Sequence, residues 1–396
     1  MTKPQKICLI MQGGNNWIGG VEYIKNIILA LSSLPADVRG TFELCLVCSK
    51  SLNEDVYKQI QPHLDRIYYE EVDLEPATLQ YRIRWKILRT LLGQRDPRSL
   101  TFFRREKVDF AYPYFDRSIK VKNFRSAAWI FDFQHKYLTQ FFTEEEIQQR
   151  NETFASIATY ASTVVLSSKA AESDFHKFFP QVAHKTQVLS FKTSPSPAWY
   201  EGNAKQIQQK YSLPDRFFII SNQFWQHKNH LLVFQALRLL QERSVYPAVV
   251  CTGRIHDVRK PNYSDIILQT IHQLGLSNQV HLLGLIPKDE QIQLMRRSLA
   301  VIQPSLFEGW STLVEDARCL GKQLILSNLP VNLEQNPPHS IFFERNSSEH
   351  LADLLEDRWN HLSSGPDLEK EEIARANNVN EVQAFGYRFL EIVRNY

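Results

Sequence analysis

The chain has 396 residues, too many for one ordinary hydrophobic core and enough for about two domains of ~100–200 residues each. Hydrophobic residues make up 43% and charged residues 22%, which excludes a disordered chain, and the formal net charge is only +3. No uncharged apolar window reaches the ~18–20 residues that a membrane-spanning helix requires. The first apolar run, at 7–11, is too short for a signal-peptide core, so we expect a cytoplasmic protein.

Five cysteines, an odd number scattered along a long chain, argue against a disulfide framework. Cys45 and Cys48 form a C-x-x-C motif, but a strand places residues three apart on opposite faces, so we interpret both as buried thiols. A structural zinc site needs four convergent ligands, and the pair His227 and His230 has no neighbours in sequence to complete one. We therefore expect no metal site and no bound cofactor.

Strands and helices alternate along the first half of the chain. A glycine-rich turn at 13–20 follows the first apolar strand, and apolar residues then recur with helical spacing over 21–34. A capping box, Thr143-x-x-Glu146, predicts the start of a helix that runs to about 161. Strands are predicted at 6–11, 42–47, 66–69, 108–112, 127–130, 163–166 and 186–189. Strands separated by helices indicate a parallel α/β sheet.

The clearest break in the chain is the stretch Lys-Thr-Ser-Pro-Ser-Pro at 192–197, which predicts an interdomain linker. The alternation then resumes and predicts a second α/β sheet. Its strands are expected at 217–221, 248–252, 279–283, 299–302 and 323–327. The tail, 368–396, has a helical pattern.

The loop that follows the predicted strand at 299–302 carries the strongest functional pattern. Pro304 and Ser305 end the strand, and a helix starts near Thr312 and stops at Gly321. Ligands bind at the carboxyl ends of strands in open parallel sheets, and a helix N-terminus favours a phosphate. A phosphate would repel Glu308 unless this acid accepts hydrogen bonds from hydroxyls instead. The pattern therefore indicates a nucleotide sugar.

The run Pro-Ser-Leu-Phe-Glu-Gly-Trp at 304–310, the acids at the head of the next helix, and the following Ala317 and Gly321 resemble the signature of the retaining GT-B glycosyltransferases of family four, the glycosyl transferases group 1. This resemblance implies an α/β fold of two Rossmann-like domains with parallel sheets that face each other across a cleft. The acceptor-side domain would be 1–195 and the nucleotide-sugar domain 196–377. The last helix, about 378–396, would pack back on the first domain.

The family's E-x7-E pattern gives the two acids separate roles. By resemblance, Glu308 contacts hydroxyls of the donor sugar, and the second acid contacts the ribose. Eight residues after Glu308 stands Asp316, with Glu315 one residue earlier, so both remain candidates for the ribose acid. The resemblance extends the donor site over the turn and the helix start, which comprise Gly309, Trp310, Ser311 and Thr312.

A second donor contact is expected after the predicted strand at 217–221. Lys228, near a helix start, is well placed to neutralise a diphosphate and matches the family's donor-phosphate lysine. The arginine that family members carry five or six residues earlier is replaced by Asn222 or Gln223. Arg254, after the predicted strand at 248–252, could supply the missing charge.

Two positions in the first half are further candidates. Gly19 and Gly20 do not follow G-x-G-x-x-G spacing, and no acid ends the second strand, so a NAD site is disfavoured. They are interpreted either as a contact with an anionic or acceptor group or as a plain tight turn. His135 follows the buried strand at 127–130, and the resemblance implies a place beside the reacting sugar. A structural histidine is the alternative.

Residues 81–107 hold nine Lys or Arg and two acids, a net charge of +7, around an apolar stripe at helical spacing. This pattern suits an interfacial helix on anionic lipid, and it suits equally a stripe that faces the core with solvated charges around it. The first alternative implies a protein peripheral to the inner face of the membrane. Nucleic-acid binding is disfavoured, because no known module accompanies the charge.

The sequence thus predicts a metal-independent retaining hexosyltransferase, with His135, Glu308 and Lys228 as catalytic residues. Its partners would be a nucleotide-diphosphate sugar and a glycan or lipid-linked acceptor, as in polysaccharide biosynthesis. Two alternatives stay open: a nucleotide-sugar epimerase of the same fold, and a non-catalytic membrane-surface module built around 81–107.

Overall fold

The computed structural model describes residues 3–14, 17–74, 97–115, 125–257 and 259–394. The chain forms two compact units. The N-terminal unit comprises the described residues of Met1–Phe133, Gln148–Ser194 and Asn380–Tyr396, and the C-terminal unit comprises those of Gln134–Ile147 and Pro195–Val379. The main break, between Ser194 and Pro195, falls inside the Pro/Ser-rich stretch 192–197, where neither helix nor strand forms.

The N-terminal unit contains two groups of parallel strands, consistent with the helices that separate the strands in sequence. The larger group has the order β3-β2-β1-β4-β5, and the smaller has the order β6-β7-β8. The strands are β1 Gln5–Ile10, β2 Phe42–Cys48, β3 Arg66–Tyr69, β4 Phe110–Tyr112, β5 Arg125–Ser126, β6 Ala128–Ile130, β7 Val164–Leu166 and β8 Thr186–Val188.

Helices follow most of these strands. The α-helices of the first half are α1 Ile18–Ser32, α2 Ala36–Arg39, α3 Glu54–Ile60, α4 Glu70–Asp73, α5 Pro97–Arg105, α6 Gln134–Tyr137, α7 Glu144–Tyr160 and α8 Lys169–Phe178, with 3-10 helices at Gln61–His63, Thr139–Phe141 and Pro180–Lys185. The capping box ahead of α7 is confirmed, because Thr143 N–H donates to Glu146 Oε2 (2.9 Å) and Glu146 N–H donates to Thr143 Oγ1 (3.2 Å). Of the basic stretch 81–107, residues 81–96 lie outside the described residues.

The C-terminal unit contains one six-stranded parallel sheet with the order β11-β10-β9-β12-β13-β14. Its strands are β9 Phe218–Ser221, β10 Val249–Thr252, β11 Val280–Gly284, β12 Val301–Gln303, β13 Leu324–Ser327 and β14 Ser340–Phe343. Counted from the first strand of the unit, this is the Rossmann order 3-2-1-4-5-6. The strand order reverses between β9 and β12, so these neighbours form the topological switch point.

The helices of this unit cover both faces of the sheet. They are α9 Ala198–Glu201, α10 Ala204–Lys210, α11 His230–Glu242, α12 Tyr263–Gln273, α13 Lys288–Arg297, α14 Thr312–Cys319, α15 Pro330–Gln335, α16 Ser348–His361 and α17 Leu368–Arg394, with a 3-10 helix at Gln226–Lys228. Alternate residues of β9 enter different cores, with Phe218 and Ile220 in one and Ile219 in the other. Burial on both faces explains why its strands are short, continuous apolar runs.

These parallel sheets confirm the predicted α/β class and the two Rossmann-like units. The limits of the predicted strands agree with the structure to within about two residues, whereas β5 and β14 were not predicted. No described helix combines the length and the apolar composition that crossing a bilayer requires.

The last part of α17 packs in the N-terminal unit. Phe389 is buried, with its ring centroid 6.3 Å from that of Phe110 and 5.4 Å from that of Tyr112. The backbone of α17 also approaches α1 closely, because a Cβ atom on Gly386 would lie 2.9 Å from the carbonyl oxygen of Ala30. A glycine is therefore required for this helix packing.

We predict that Gly386→Leu lowers the free energy of unfolding by about 1–3 kcal/mol, because the added side chain forces the two helices apart. Chemical denaturation measures the change. Ala384→Leu is the control, since Ala384 is exposed on the same helix and should tolerate the same side chain with a change within about 0.5 kcal/mol. Equal effects of the two variants would contradict this account of the packing.

Candidate functional site

The candidate site lies in the C-terminal unit, where two loops leave the carboxyl ends of neighbouring strands. The loop after β9 leads into the 3-10 helix Gln226–Lys228, and the loop after β12 leads into α14. A backbone hydrogen bond of 2.8 Å from Leu306 N–H to the carbonyl oxygen of His227 joins the loops. They therefore meet at the switch point, where open α/β sheets bind ligands.

The structure brings Lys228 and Glu308 into direct contact. The Nζ atom of Lys228 lies 2.6 Å from Oε1 of Glu308, and the two side chains are 14% and 9% exposed. Asn229, which follows Lys228, adopts a left-handed conformation (φ 57°) and turns the chain into α11. Because solvent is largely excluded, this ion pair is less screened than a surface pair. The site thus holds one cation and one acid that a ligand can still reach.

A glutamine that the sequence analysis did not single out supports this pair. Gln303, at the end of β12, is fully buried, and its Nε2 donates to Glu308 Oε1 (2.8 Å) and to Ser311 Oγ (3.0 Å). Its Oε1 accepts a 2.6 Å hydrogen bond from Nδ2 of Asn222. The side-chain amide of Asn222 is therefore directed into the protein. The sequence feature that could have identified Gln303 is its position as a polar residue at the end of an apolar strand.

Ser311 begins α14 as its N-cap residue. Its Oγ accepts a hydrogen bond from Val314 N–H (3.4 Å), and Thr312 is the first helical residue. The side chain of Gln335 reaches the same cap and donates to the carbonyl oxygen of Ser311 at 3.1 Å. Gly309 and Trp310 form the half-buried turn before the cap. The helix N-terminus is therefore fixed by two buried glutamines from different elements.

Both candidates for the ribose acid are buried and paired inside the protein. Glu315 is 0% exposed, with Oε2 bonded to Arg318 Nε (2.8 Å) and Oε1 bonded to Gln335 Nε2 (2.9 Å). Asp316 is 2% exposed and forms an ion pair with Lys288, whose side chain is 36% exposed. Both carboxylates are therefore largely closed to solvent by the protein itself.

The loop after β10 closes another side of the site. Phe224 N–H donates to the carbonyl oxygen of Arg254 (3.0 Å), and Arg254 itself is half-buried. Gly253 has φ 133°, and a Cβ atom there would lie 2.2 Å from the carbonyl oxygen of Asn222. The close approach of these loops therefore requires glycine. Gln223 accepts a 2.8 Å hydrogen bond from Trp225 N–H through its carbonyl oxygen.

His135 lies in α6, on the segment Gln134–Ile147, and is fully buried. This segment was predicted to belong to the domain 1–195, whereas it groups with the C-terminal unit. Aromatic contacts account for the difference: the rings of Tyr137 and Phe307 stack with centroids 5.7 Å apart, and Arg259 lies over the rings of Phe142 (4.8 Å) and Trp225 (5.3 Å). The segment that carries His135 is thus anchored beside the loop that carries Glu308.

Gly19 and Gly20 belong to the N-terminal unit. Both were predicted to lie in a turn before the helix, but they form part of the first turn of α1, which begins at Ile18. A Cβ atom on Gly20 would lie 3.0 Å from the ring of Trp17, and one on Gly19 would lie 3.3 Å from its Nε1. Their absent side chains therefore leave room for Trp17 to pack over the helix start.

Two buried histidines flank Lys228. The ring of His230 stacks on that of Phe224, with centroids 4.2 Å apart and planes at 9°, and neither ring nitrogen has a hydrogen-bond partner in the part of the chain that the structure describes. Burial, with a smaller effect from the Lys228 charge, lowers the pKa of His230 from 6.5 to about 3. Burial first, then Lys228, also lowers the pKa of His227. Both rings are neutral at pH 7, so Lys228 provides the positive charge of this loop.

We predict that His230 makes the protein sensitive to acid. Above pH 6.5 the ring is neutral in the folded and unfolded chains, whereas between pH 6.5 and about 3 only the unfolded chain takes up the proton. The free energy of unfolding contributed by this group therefore falls by up to about 1.4 kcal/mol per pH unit as the pH drops through that window. His230→Phe, which retains a stacking ring, should show a shallower loss between pH 6.5 and 4.5 in denaturation experiments.

The exposed His272 provides the control, since His272→Gln should leave the slope of the wild-type protein unchanged. Parallel pH profiles for the wild-type protein and His230→Phe would contradict the assignment of a neutral buried ring.

Among the residues that the structure describes, no group of three or more His, Cys, Asp or Glu side chains is arranged to hold a metal ion.

One family model matches part of the chain. Residues 203–364 match the family model described as glycosyl transferases group 1, and this segment contains Asn222, Lys228, Gln303 and Glu308. A sequence comparison with curated proteins gave no significant match.

Solved structures match over nearly the whole chain. Anabaena Alr3699/HepE in complex with UDP and glucose has a TM-score of 0.65 and 16% identity, covering 99% of this chain and 100% of that one. A glycosyltransferase from Rickettsia africae has a TM-score of 0.66 and 15% identity, covering 99% and 98%. Sucrose-phosphate synthase from Thermosynechococcus elongatus has a TM-score of 0.61 and 15% identity, again covering 99% and 98%. The chain therefore has the two Rossmann-like domains of the GT-B fold, and its segment 203–364 matches the glycosyl transferases group 1.

Proposed function

We propose that the protein is a retaining glycosyltransferase of the family-four type, which moves a hexose-type sugar from a nucleotide-diphosphate sugar to a glycan or lipid-linked acceptor. The observation that carries the proposal is the Lys228–Glu308 pair at the switch point of a Rossmann-order sheet, inside the segment that matches the group 1 model. Structural neighbours with UDP and with UDP-glucose bound lend further support.

The basic part of the site suits a diphosphate. Lys228 lies two residues before the start of α11, and the loop that carries Glu308 leads into the capped N-terminus of α14. Backbone N–H groups and the positive ends of helix dipoles attract phosphate oxygens. Transfer releases a nucleoside diphosphate whose negative charge grows in the transition state, so these groups stabilise its departure. In this proposal the protein itself supplies the positive charge, and no metal ion is needed.

Glu308 positions the sugar by accepting hydrogen bonds from its hydroxyls. Its Oε1 is bonded to Lys228 and Gln303, whereas its Oε2 has no hydrogen bond from the described residues. In this proposal Glu308 does not attack the anomeric carbon, and retention follows from attack on the face from which the nucleotide leaves. His135 donates or accepts a hydrogen bond at a sugar hydroxyl, on the segment held by Tyr137 and Phe307.

We predict that Glu308→Ala and Lys228→Ala each lower kcat/KM for transfer by at least about 10²-fold, because each removes a group that stabilises the transition state. The assay measures glycosylated product and released nucleotide in the presence of EDTA. Circular dichroism and thermal unfolding check that both variants retain the fold. Lys210→Ala is the matched control, since Lys210 forms an ion pair with Glu290 and is 54% exposed.

Full turnover by either site variant would contradict the site assignment, and transfer that requires an added divalent cation would contradict metal independence. Isomerised nucleotide sugar, formed by the wild-type protein without any acceptor, would instead identify an epimerase.

A further inference from the structure

We infer that Gln303 is a positioning residue, which holds the Glu308 carboxylate in the orientation that the donor sugar requires. The inference rests on the proposed function, because it takes Glu308 as the group that binds the sugar. Gln303 itself is fully buried and acts through Glu308.

Hydrogen bonds on both sides of the Gln303 amide fix its orientation. Asn222 Nδ2 donates to Gln303 Oε1 (2.6 Å), so Gln303 Nε2 faces Glu308 Oε1 (2.8 Å) and Ser311 Oγ (3.0 Å). The reverse orientation would place an amide oxygen against a carboxylate and an NH₂ group against another NH₂ group. A glutamine with a donor on one side and an acid on the other therefore has one favourable arrangement.

This arrangement assigns the two oxygens of Glu308 to different tasks. Lys228 and Gln303 both bond to Oε1, and Oε2 remains for a ligand hydroxyl. An ion pair alone would leave the carboxylate able to turn and offer either oxygen to the lysine. The amide removes that freedom, because the position of Gln303 is set by the end of β12 and by Asn222 after β9.

Gln303 also stabilises the Glu308 carboxylate when a diphosphate binds to Lys228. Lys228 must then share its charge with the phosphates, and an acid that is 9% exposed would lose part of its compensation. The hydrogen bond from Gln303 to Oε1 stays in place and limits this loss. The same amide contacts the N-cap Ser311, so the carboxylate and the helix N-terminus keep a fixed distance.

The bond between Asn222 and Gln303 lies past the carboxyl ends of the paired parts of β9 and β12. The register between β9 and β12 contains a single residue pair, Val301 with Ile219, although the strands are neighbours at the switch point. At the carboxyl end, the side-chain bond between Asn222 and Gln303 adds to the backbone bond from Leu306 to His227. Gln303 therefore ties together the two loops that form the candidate site.

A double-mutant cycle tests this role through donor binding, which remains measurable in variants without turnover. Calorimetry gives the Kd of the nucleotide sugar relative to that of its free nucleoside diphosphate, for UDP, GDP and ADP donors. This ratio reports the contribution of the sugar.

Gln303→Met, which preserves the size of the side chain, should weaken the sugar contribution about ten- to a hundredfold in the wild-type background. In a Glu308→Gln background the same change should weaken it less than about twofold, because the group that Gln303 orients has been altered.

Gln335→Leu is the matched control. Gln335 is also a buried amide at the Ser311 cap, but it bonds to Glu315 and not to Glu308. Gln335→Leu should change the sugar contribution by the same factor in the wild-type and the Glu308→Gln backgrounds. Gln303→Glu is a second test that preserves the bond from Asn222; it should weaken the sugar contribution more than Gln303→Met, because it places a second carboxylate against Glu308.

Equal losses from Gln303→Met in both backgrounds, or no loss in either, would overturn the positioning role while leaving the proposed function intact. A wild-type protein that binds none of the donors would overturn both.

Discussion

The candidate site depends on one ion pair, Lys228 with Glu308, formed where the strand order of the C-terminal sheet reverses. In the proposed function, a carboxylate beside a diphosphate is unfavourable by itself, because the two negative groups repel each other. Lys228 offsets this repulsion at Oε1 of Glu308, and the proposal leaves Oε2 to a neutral sugar hydroxyl. The remaining features of the site position this pair.

The supporting groups are buried amides and N-caps, which hold charged groups without adding charge. Gln303 joins Glu308 to the end of β9 through Asn222, and Gln335 joins the start of α14 to Glu315. Burial, with a smaller effect from Lys228, lowers the pKa of His227 and His230, so neither ring adds charge beside Lys228 at pH 7. In the proposed function, Lys228 and the helix ends supply positive charge to the bound diphosphate.

Local patterns in the sequence predicted much of the fold and the central pair. Buried strands appear as apolar runs, Thr143 and Glu146 form a capping box between near neighbours, and Gly321, with φ 57°, ends the helix after Cys319 as predicted. Features that depend on distant contacts were not predicted. The strand Ser340–Phe343 contains only three apolar residues between polar segments, and its pairing with β13 is what makes it a strand. Gln303 was omitted because a polar residue after an apolar run looks like a loop residue, whereas Asn222, 81 positions away, satisfies its amide. The grouping of His135 with the C-terminal unit likewise depends on the contact of Tyr137 with Phe307.

The central claim is that Lys228 binds the phosphates and Glu308 binds the sugar of one ligand. The most direct test is calorimetric titration of the wild-type protein, Lys228→Ala and Glu308→Ala with the preferred nucleotide sugar and with its free nucleoside diphosphate. Lys228→Ala should weaken both ligands about tenfold or more, whereas Glu308→Ala should weaken the nucleotide sugar by a similar factor and leave the nucleoside diphosphate within about threefold of the wild-type Kd. The same loss for both ligands in both variants, or unchanged binding in either, would contradict this division of roles.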